Sequence, residues 1–242
     1  MAFIARVASL LLVLVLSVTA GRAAPLGGDL AVRRALETAS VVVETTGCSG
    51  VVAEHPQIIV TARHCVEGES LRVRLSTGAV RTAWVGATSD ATDQAVLFLE
   101  EPAGVEPLPL VRRRQIPGTV LYFEGNPSRP RFQSARLERI GVCPSLPDLK
   151  DALFTSIDGA PGDSGAPLVD GASRIVGLVH GGARCRIATP SPPLARLVDQ
   201  VLDRDGGDAP RLAFSRPLPR PSAIRRRSPS PDGASSHTAP RG

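Results

Sequence analysis

Beyond its N-terminus the sequence lacks any apolar run long enough to cross a bilayer. The single long run, residues 7–20, follows Arg6 and precedes the small residues Gly21 and Ala23, which is the pattern of a secretory signal peptide. This run is shorter than the roughly 20 residues of a membrane-spanning helix. We therefore expect a signal peptide over residues 1–23, cleaved after Ala23, and a secreted or periplasmic protein without stable membrane insertion.

The sequence also lacks a CxxC spacing among its four cysteines, a spacing found in many metal-binding motifs. In an exported chain, four cysteines favour two disulfide bonds over metal ligands. Three pairings of Cys48, Cys65, Cys143 and Cys185 are possible. We expect no metal and no cofactor.

Large apolar side chains are nearly absent from residues 206–242, and Phe214 is the sole aromatic residue there. Such a segment buries too little apolar surface to offset the entropy of ordering it, so we expect a disordered, Pro/Arg-rich tail. Three consecutive arginines, 225–227, contribute to the net charge of +5. Without interleaved aromatic residues, and in an exported protein, this basic segment does not indicate a nucleic-acid partner.

Between these ends the sequence is rich in short β-branched or apolar runs separated by turn signals such as Gly47, Pro56, Gly68 and Gly78. One set of runs covers 41–45, 58–61, 71–75, 82–85 and 95–99, and a second covers 119–123, 136–142, 153–157, 166–169 and 175–180. Two sets with a polar linker at 107–117 suggest two antiparallel β-barrels or sandwiches, at 40–106 and 118–205. A parallel α/β fold needs helices between its strands, and few segments are available for them.

Two segments have a helical pattern. Pro192 and Pro193 precede apolar residues at 194, 197, 198, 201 and 202, which predicts a terminal helix ended by the glycines at 206 and 207. A weaker helix is predicted over 29–38. It falls within residues 24–39, which we interpret as an N-terminal segment or a short propeptide.

Three short motifs occur in the order His, Asp, Ser: Thr-Ala-Arg-His-Cys at 61–65, Asp-Gln-Ala-Val-Leu at 93–97 and Gly-Asp-Ser-Gly-Ala-Pro-Leu at 162–168. They resemble the signatures of the chymotrypsin/trypsin-like serine protease family, and the resemblance covers about residues 41–202. It implies two antiparallel β-barrels with a C-terminal helix, in an exported, bacterial-type member. A G-x-S-x-G hydrolase is excluded because Ala166 replaces the last glycine and the histidine comes first.

The resemblance assigns a catalytic role to each motif. A serine hydroxyl needs an imidazole to accept its proton, and the imidazole needs a carboxylate that sets its tautomer. The expected triad is therefore His64, Asp93 and Ser164. Asp90 competes with Asp93, but the family has alanine two residues after the acid, and Ala95 fits Asp93. Backbone N–H groups of Gly162 and Ser164 are the expected oxyanion donors.

The family pattern also implies two disulfides and a way of ordering the oxyanion loop. The bridges are Cys48–Cys65 and, because Ala160 stands where many members have a cysteine, Cys143–Cys185. The chain has no Ile-Val-Gly-Gly start whose freed amine would pair with the aspartate before the serine. We therefore expect Asp163 to pair with an arginine.

The substrate is expected to be a protein or peptide, hydrolysed by a monomer through an acyl-enzyme intermediate. Asp158, six residues before Ser164, matches the position where trypsin-like members bind Arg or Lys, and Gly182 would leave the pocket open. His180 stands where the family usually has serine, so it either faces the substrate pocket or covers the triad. The alternative function is a catalytically silent binding module of the same fold.

Overall fold

The structure, a computed structural model, describes residues 28–180 and 185–204 and contains two six-stranded β-barrels. The signal peptide, Gly182 and the tail lie outside the described residues. The first barrel consists of β1 (Ser40–Val43), β2 (Cys48–Val52), β3 (Ile58–Ala62), β4 (Ser70–Arg74), β5 (Val80–Ser89) and β6 (Gln94–Leu99). Its closed order is β1-β2-β3-β6-β5-β4.

The second barrel closes in the order β10-β11-β12-β9-β8-β7. Its strands are β7 (Val120–Phe123), β8 (Gln133–Gly141), β9 (Ala152–Thr155), β10 (Pro167–Val169), β11 (Ile175–His180) and β12 (Ile187–Pro190). Helix α1 (Gly28–Ala39) precedes β1, helix α2 (Ser191–Arg204) follows β12, and a 3-10 turn (Arg63–Cys65) follows β3. The predicted fold class, two antiparallel barrels with a C-terminal helix, is confirmed.

Two strands, β2 and β12, were not predicted from the sequence. Strand β2 contains Gly50, a residue depleted in strands. The structure explains its presence, because a Cβ at Gly50 would lie 3.0 Å from the carbonyl oxygen of Val60 on the neighbouring strand. Strand β12 is only four residues long and ends in Pro190, so its sequence carries little strand signal.

The burial of each strand follows its place in the barrel. Strand β4 alternates exposed and buried residues, as a strand with one solvent face should. Strands β3 and β6 are buried at every position. In β3, Ile59 packs inside the barrel, whereas Ile58 and Val60 pack in a separate cluster between the two barrels. Apolar residues on both faces make these strands continuous hydrophobic runs.

Both helices contribute to this inter-barrel core. Val32 and Leu36 of α1, and Leu194 and Val198 of α2, are at most 2% exposed and pack with residues from both barrels. Helix α1 thus packs in the folded core in this structure. That residues 24–39 are an N-terminal segment or a short propeptide stays a prediction. Within the described residues, neither helix has the length and apolarity needed to cross a membrane.

Helix α1 packs against the end of β7 beside a buried acid, Glu124. Its side chain is 3% exposed, and its carboxylate oxygens have no hydrogen-bond partner among the described residues. Arg33 Nε lies 3.8 Å from Glu124 Oε2. Burial raises the pKa of Glu124 to about 7, partly offset by Arg33 and reinforced by Glu37. The folded protein therefore holds this proton more tightly than the unfolded chain does.

This raised pKa predicts that Glu124 lowers stability as the pH rises. The relevant pH range lies between the ordinary pKa of 4.5 and the raised pKa of about 7. Across this range, the contribution of Glu124 to the free energy of unfolding should fall by at most about 1.4 kcal/mol per pH unit. Glu124→Gln should remove this slope and raise stability at pH 8. Urea unfolding of both proteins between pH 5 and 8 measures the difference. Glu106→Gln, at an exposed position that does not contribute to the Glu124 shift, is the control. Parallel stability curves for wild type and Glu124→Gln would refute the prediction.

Candidate active site

The His64 and Asp93 side chains are joined by two hydrogen bonds. The 3-10 turn after β3 presents His64, whose Nδ1 lies 2.8 Å from Asp93 Oδ2. The backbone N–H of His64 donates to the other carboxylate oxygen, Oδ1, at 2.9 Å. One carboxylate therefore fixes both the backbone and the ring of the histidine. The imidazole side chain is 41% exposed and the carboxylate is 16% exposed.

Asp93 is held at the turn between β5 and β6. Its φ is 49°, a left-handed conformation that aspartate tolerates better than most residues. The Asp93 carbonyl accepts the N–H of Arg63 at 3.1 Å. The next residue, Gln94, is fully buried and donates its side-chain amide to Thr189 Oγ1 and to the Pro190 carbonyl, both on β12. Gln94 thus fixes the position of Asp93 relative to the second barrel.

The loop that bears Ser164 packs directly on the first barrel. The Ser164 carbonyl accepts the N–H of Ser49 at 2.8 Å, and Ser49 Oγ donates to the Gly162 carbonyl at 2.7 Å. Gly165 has φ 82°, and a Cβ there would lie 2.2 Å from the Ser49 carbonyl oxygen and 2.4 Å from Thr61 Oγ1. Only glycine allows this approach, which brings the serine loop against the strands that lead to His64.

The residues before Ser164 form a tight turn. The Asp163 N–H donates to the Ala160 carbonyl at 3.0 Å, with Pro161 and Gly162 at the central positions. Gly162 has φ 95°, and a positive φ at the second central position after proline defines a type II turn. This turn fixes the orientation of the Gly162 N–H. A Cβ on Gly162 would lie 2.9 Å from Asn126 Nδ2, so a larger residue does not fit.

Asp163 pairs with an arginine, as the sequence predicted. Its carboxylate is 1% exposed and accepts Arg131 Nη2 at 2.5 Å and the Ala160 N–H at 2.6 Å. The other oxygen accepts the Asn126 N–H at 2.8 Å. Asn126 Nδ2 in turn donates to the carbonyls of Gly47 and Gly162. The turn is therefore ordered by donors from the β7–β8 loop.

His180, at the end of β11, contacts the same carboxylate as His64. Its Nε2 lies 3.3 Å from Asp93 Oδ2, and the two imidazole rings are 4.9 Å apart at their centroids. Burial lowers the pKa of His180, with His64 adding to this effect and Asp93 opposing it. Of the two alternatives for this residue, the contact with Asp93 matches the one in which the ring covers the triad. The same ring also lines the two cavities described next.

Two cavities meet at His180. One, of about 420 Å³, is lined by residues 157–161, by Val179 and His180, and by residues 185–187. It contains Asp158, whose side chain is exposed, and Arg186, which is also exposed. The second, of about 450 Å³, is lined by His64, Asp93, Asp90 and residues 145–149. The substrate-binding candidates Asp158 and His180 thus share one cavity, whereas Gly182 lies outside the described residues.

Both disulfides implied by the family pattern are present. Cys48 joins Cys65, directly after His64, with a sulfur–sulfur distance of 2.06 Å. Cys143 joins Cys185 at 2.08 Å. The first closes a loop of 17 residues, which in the chain-entropy description stabilises the fold by about 3 kcal/mol. It also ties the 3-10 turn of His64 to β2.

The comparisons with known proteins agree with this geometry. A family model described as a trypsin-like peptidase domain matches residues 48–178. Because this match covers more than half of the 242 residues, the chain belongs to that family and is a serine peptidase. A search of curated proteins finds no match.

Two solved structures share this fold. The first is the Rv3671c protease in its inactive form, at 22% sequence identity and a TM-score of 0.59, covering 73% of this chain and 95% of that chain. The second is Deg5, at 19% identity and a TM-score of 0.61, covering 73% of this chain and 94% of that chain. At these identities the likeness shows the fold alone.

Sequence reasoning missed three residues that position the site: Ser49, Gln94 and Asn126. Each is at most 8% exposed and is hydrogen-bonded across the barrels or to the serine loop. For Gln94 a signal was available, because a polar residue between Asp93 and the apolar run of β6 must bury its amide. Ser49 and Asn126 lie in turn-like sequence and had no such signal.

Proposed function

We propose that this protein is an exported endopeptidase that hydrolyses peptide bonds through an acyl-enzyme, with His64, Asp93 and Ser164 as its catalytic triad. The observation that carries the proposal is the pair of hydrogen bonds from His64 to Asp93 beside the ordered serine loop. Export is supported by the signal-peptide pattern and by the two disulfides, since such bonds persist mainly in oxidising compartments.

In the proposed mechanism, Ser164 Oγ attacks the peptide carbonyl while His64 Nε2 accepts its proton. Asp93 keeps the other proton on Nδ1 and stabilises the imidazolium. The N–H groups of Gly162 and Ser164 stabilise the oxyanion of the tetrahedral intermediate. His64 then protonates the leaving amine. Water, activated by His64, attacks the acyl-enzyme and releases the acid and the free Ser164 hydroxyl.

Covalent labelling tests this assignment. A fluorophosphonate probe should react with the mature wild-type chain and with no residue of the Ser164→Ala protein. The probe requires an activated serine, so it reports the triad without knowledge of the substrate. An unlabelled wild type that is folded and oxidised would contradict the proposal and leave the silent binding module as the better interpretation.

For specificity, we propose cleavage after Arg or Lys through Asp158. The carboxylate lines the 420 Å³ cavity beside His180, where it can form a charge-assisted hydrogen bond to a guanidinium or ammonium group. Its backbone is fixed by Gln133, which donates to the Asp158 carbonyl and accepts its N–H. Arg186 lines the same cavity and opposes a basic side chain. With Asp158 also exposed to water, we expect a moderate preference.

A positional-scanning peptide library measures this preference. Wild type should favour Arg or Lys at the cleavage position by about tenfold, a difference typical of one partly screened charged contact. Asp158→Ser should abolish the preference. Arg186→Gln, the matched control in the same cavity, should increase it. Indifference of the wild type to basic residues would refute the role of Asp158.

A further inference from the structure

The two histidines on Asp93 form a cluster of potential metal ligands in which His180 is the one residue without a role in the proposed triad. His64 Nδ1 lies 2.8 Å and His180 Nε2 lies 3.3 Å from the same oxygen, Asp93 Oδ2. The potential ligand atoms of the three residues all lie within 4.8 Å of one another. Two imidazole nitrogens and one carboxylate are donors that Zn²⁺ binds well.

From this cluster we infer that His64, Asp93 and His180 form an inhibitory Zn²⁺ site. Its inhibitory role rests on the proposed triad. With tetrahedral Zn²⁺ bonds of about 2.0–2.2 Å, neighbouring ligand atoms lie roughly 3.3–3.5 Å apart. The His180–Asp93 distance of 3.3 Å already has this value. The other pairs reach it when each side chain moves by roughly 1 Å or less.

The surroundings of the cluster favour a cation. The adjoining cavity of about 450 Å³ is lined by Asp90, Asp93 and Asp148, and among the described residues that line it none is lysine or arginine. Because Asp90 is paired with Arg63 Nε at 3.1 Å, the negative charge that attracts a cation comes mainly from Asp93 and Asp148. His64 is 41% exposed, so the ion can enter from this side. The cavity also leaves room for a water molecule as the fourth ligand.

Zn²⁺ at this site would stop catalysis through the tautomer of His64. An ion on Nδ1 would displace the single proton of the neutral ring from Nδ1 to Nε2 by exchange with solvent, so the ring stays neutral but in the opposite tautomer. Nε2 can no longer accept the proton of Ser164. At the same time, Zn²⁺ neutralises the charge of Asp93 that would stabilise the imidazolium. Inhibition is therefore reversible when a chelator removes the ion.

Three variants isolate the site. At about 100 µM free Zn²⁺, the peptidase activity of the wild type should be at least tenfold lower than its own zinc-free activity, and a chelator should restore it. His180→Ser and His180→Gln, each compared with its own zinc-free rate, should need at least about tenfold more Zn²⁺ for the same loss. A variant with His55→Gln and His237→Gln removes the other two histidines of the chain and should respond like wild type. Ca²⁺ and Mg²⁺ should have no effect.

Binding is also measured without activity, by titration calorimetry of Zn²⁺ into the Ser164→Ala protein with and without His180→Ser. One high-affinity site that disappears with His180→Ser supports the inference. The inference is overturned if Zn²⁺ does not bind, if it binds equally well without His180, or if it binds without lowering the activity of the wild type. A wild type with no zinc-free peptidase activity would instead refute the proposed function, while the calorimetry still decides whether the metal site exists.

Discussion

Replacing Asp93 by asparagine should lower kcat by about 10⁴-fold, because an amide in this place favours the wrong His64 tautomer. The structure gives a specific reason. The two carboxylate oxygens accept separately, Oδ1 from the His64 backbone N–H and Oδ2 from the ring Nδ1. Asparagine has one acceptor oxygen, so one of these donors must face an NH₂ group. Either the backbone hydrogen bond or the correct tautomer is lost.

Asp90 provides a matched control for this change. It lies three residues earlier, lines the same cavity and was the competing candidate for the triad acid. Its side chain is 87% exposed and pairs with Arg63 Nε at 3.1 Å, a surface contact of small energetic value. Asp90→Asn should therefore change kcat by less than about threefold. Equal losses in both variants, or full activity of Asp93→Asn, would show that Asp93 is not the triad acid.

The sequence predicted the fold class where local pattern and burial agree. Strands β3 and β6 are buried on both faces, and their uninterrupted apolar runs were recognised. Strand β2 was missed because it contains Gly50, where the close approach of Val60 on the next strand leaves little room for a Cβ. That contact depends on tertiary packing and leaves no local strand signal. The short β12 is defined by its pairing with β9 and β11, which is equally non-local.

In the candidate site, too, residues with a local sequence signal were predicted, and contacts set by tertiary packing were not. The motifs identified which residues could perform the chemistry, and the family pattern implied both disulfides and the arginine partner of Asp163. Which arginine it is could not be read from the sequence, because Arg131 reaches Asp163 across 32 positions of the chain. The contact of His180 with Asp93 also depends on the docking of the two barrels. Contacts between barrels are set by packing that no single motif encodes.

Arg131 should be the most important residue outside the proposed triad for catalysis, because it orders the turn at residues 160–163, which carries the proposed oxyanion donor Gly162. It pairs with the fully buried Asp163 and also donates to the Asp158 carbonyl. Arg131→Met leaves the carboxylate with two backbone donors and no cation. This change should lower the free energy of unfolding by about 1–3 kcal/mol. A buried charge without its partner favours conformations that expose it, and these disrupt the turn at Gly162.

The expected kinetic effect of Arg131→Met is a loss of about 100-fold in kcat with little change in KM, as when one oxyanion donor is lost. Arg131→Lys should recover part of kcat, because an ammonium group restores the charge but not the second hydrogen bond. Arg129→Met, an exposed arginine in the same loop, is the matched control and should behave like wild type. Because a loss of fold would reduce the amount of active enzyme, kcat is referred to the concentration titrated by the fluorophosphonate probe. An unchanged kcat in folded Arg131→Met would show that the backbone donors to Asp163 are sufficient to order the turn.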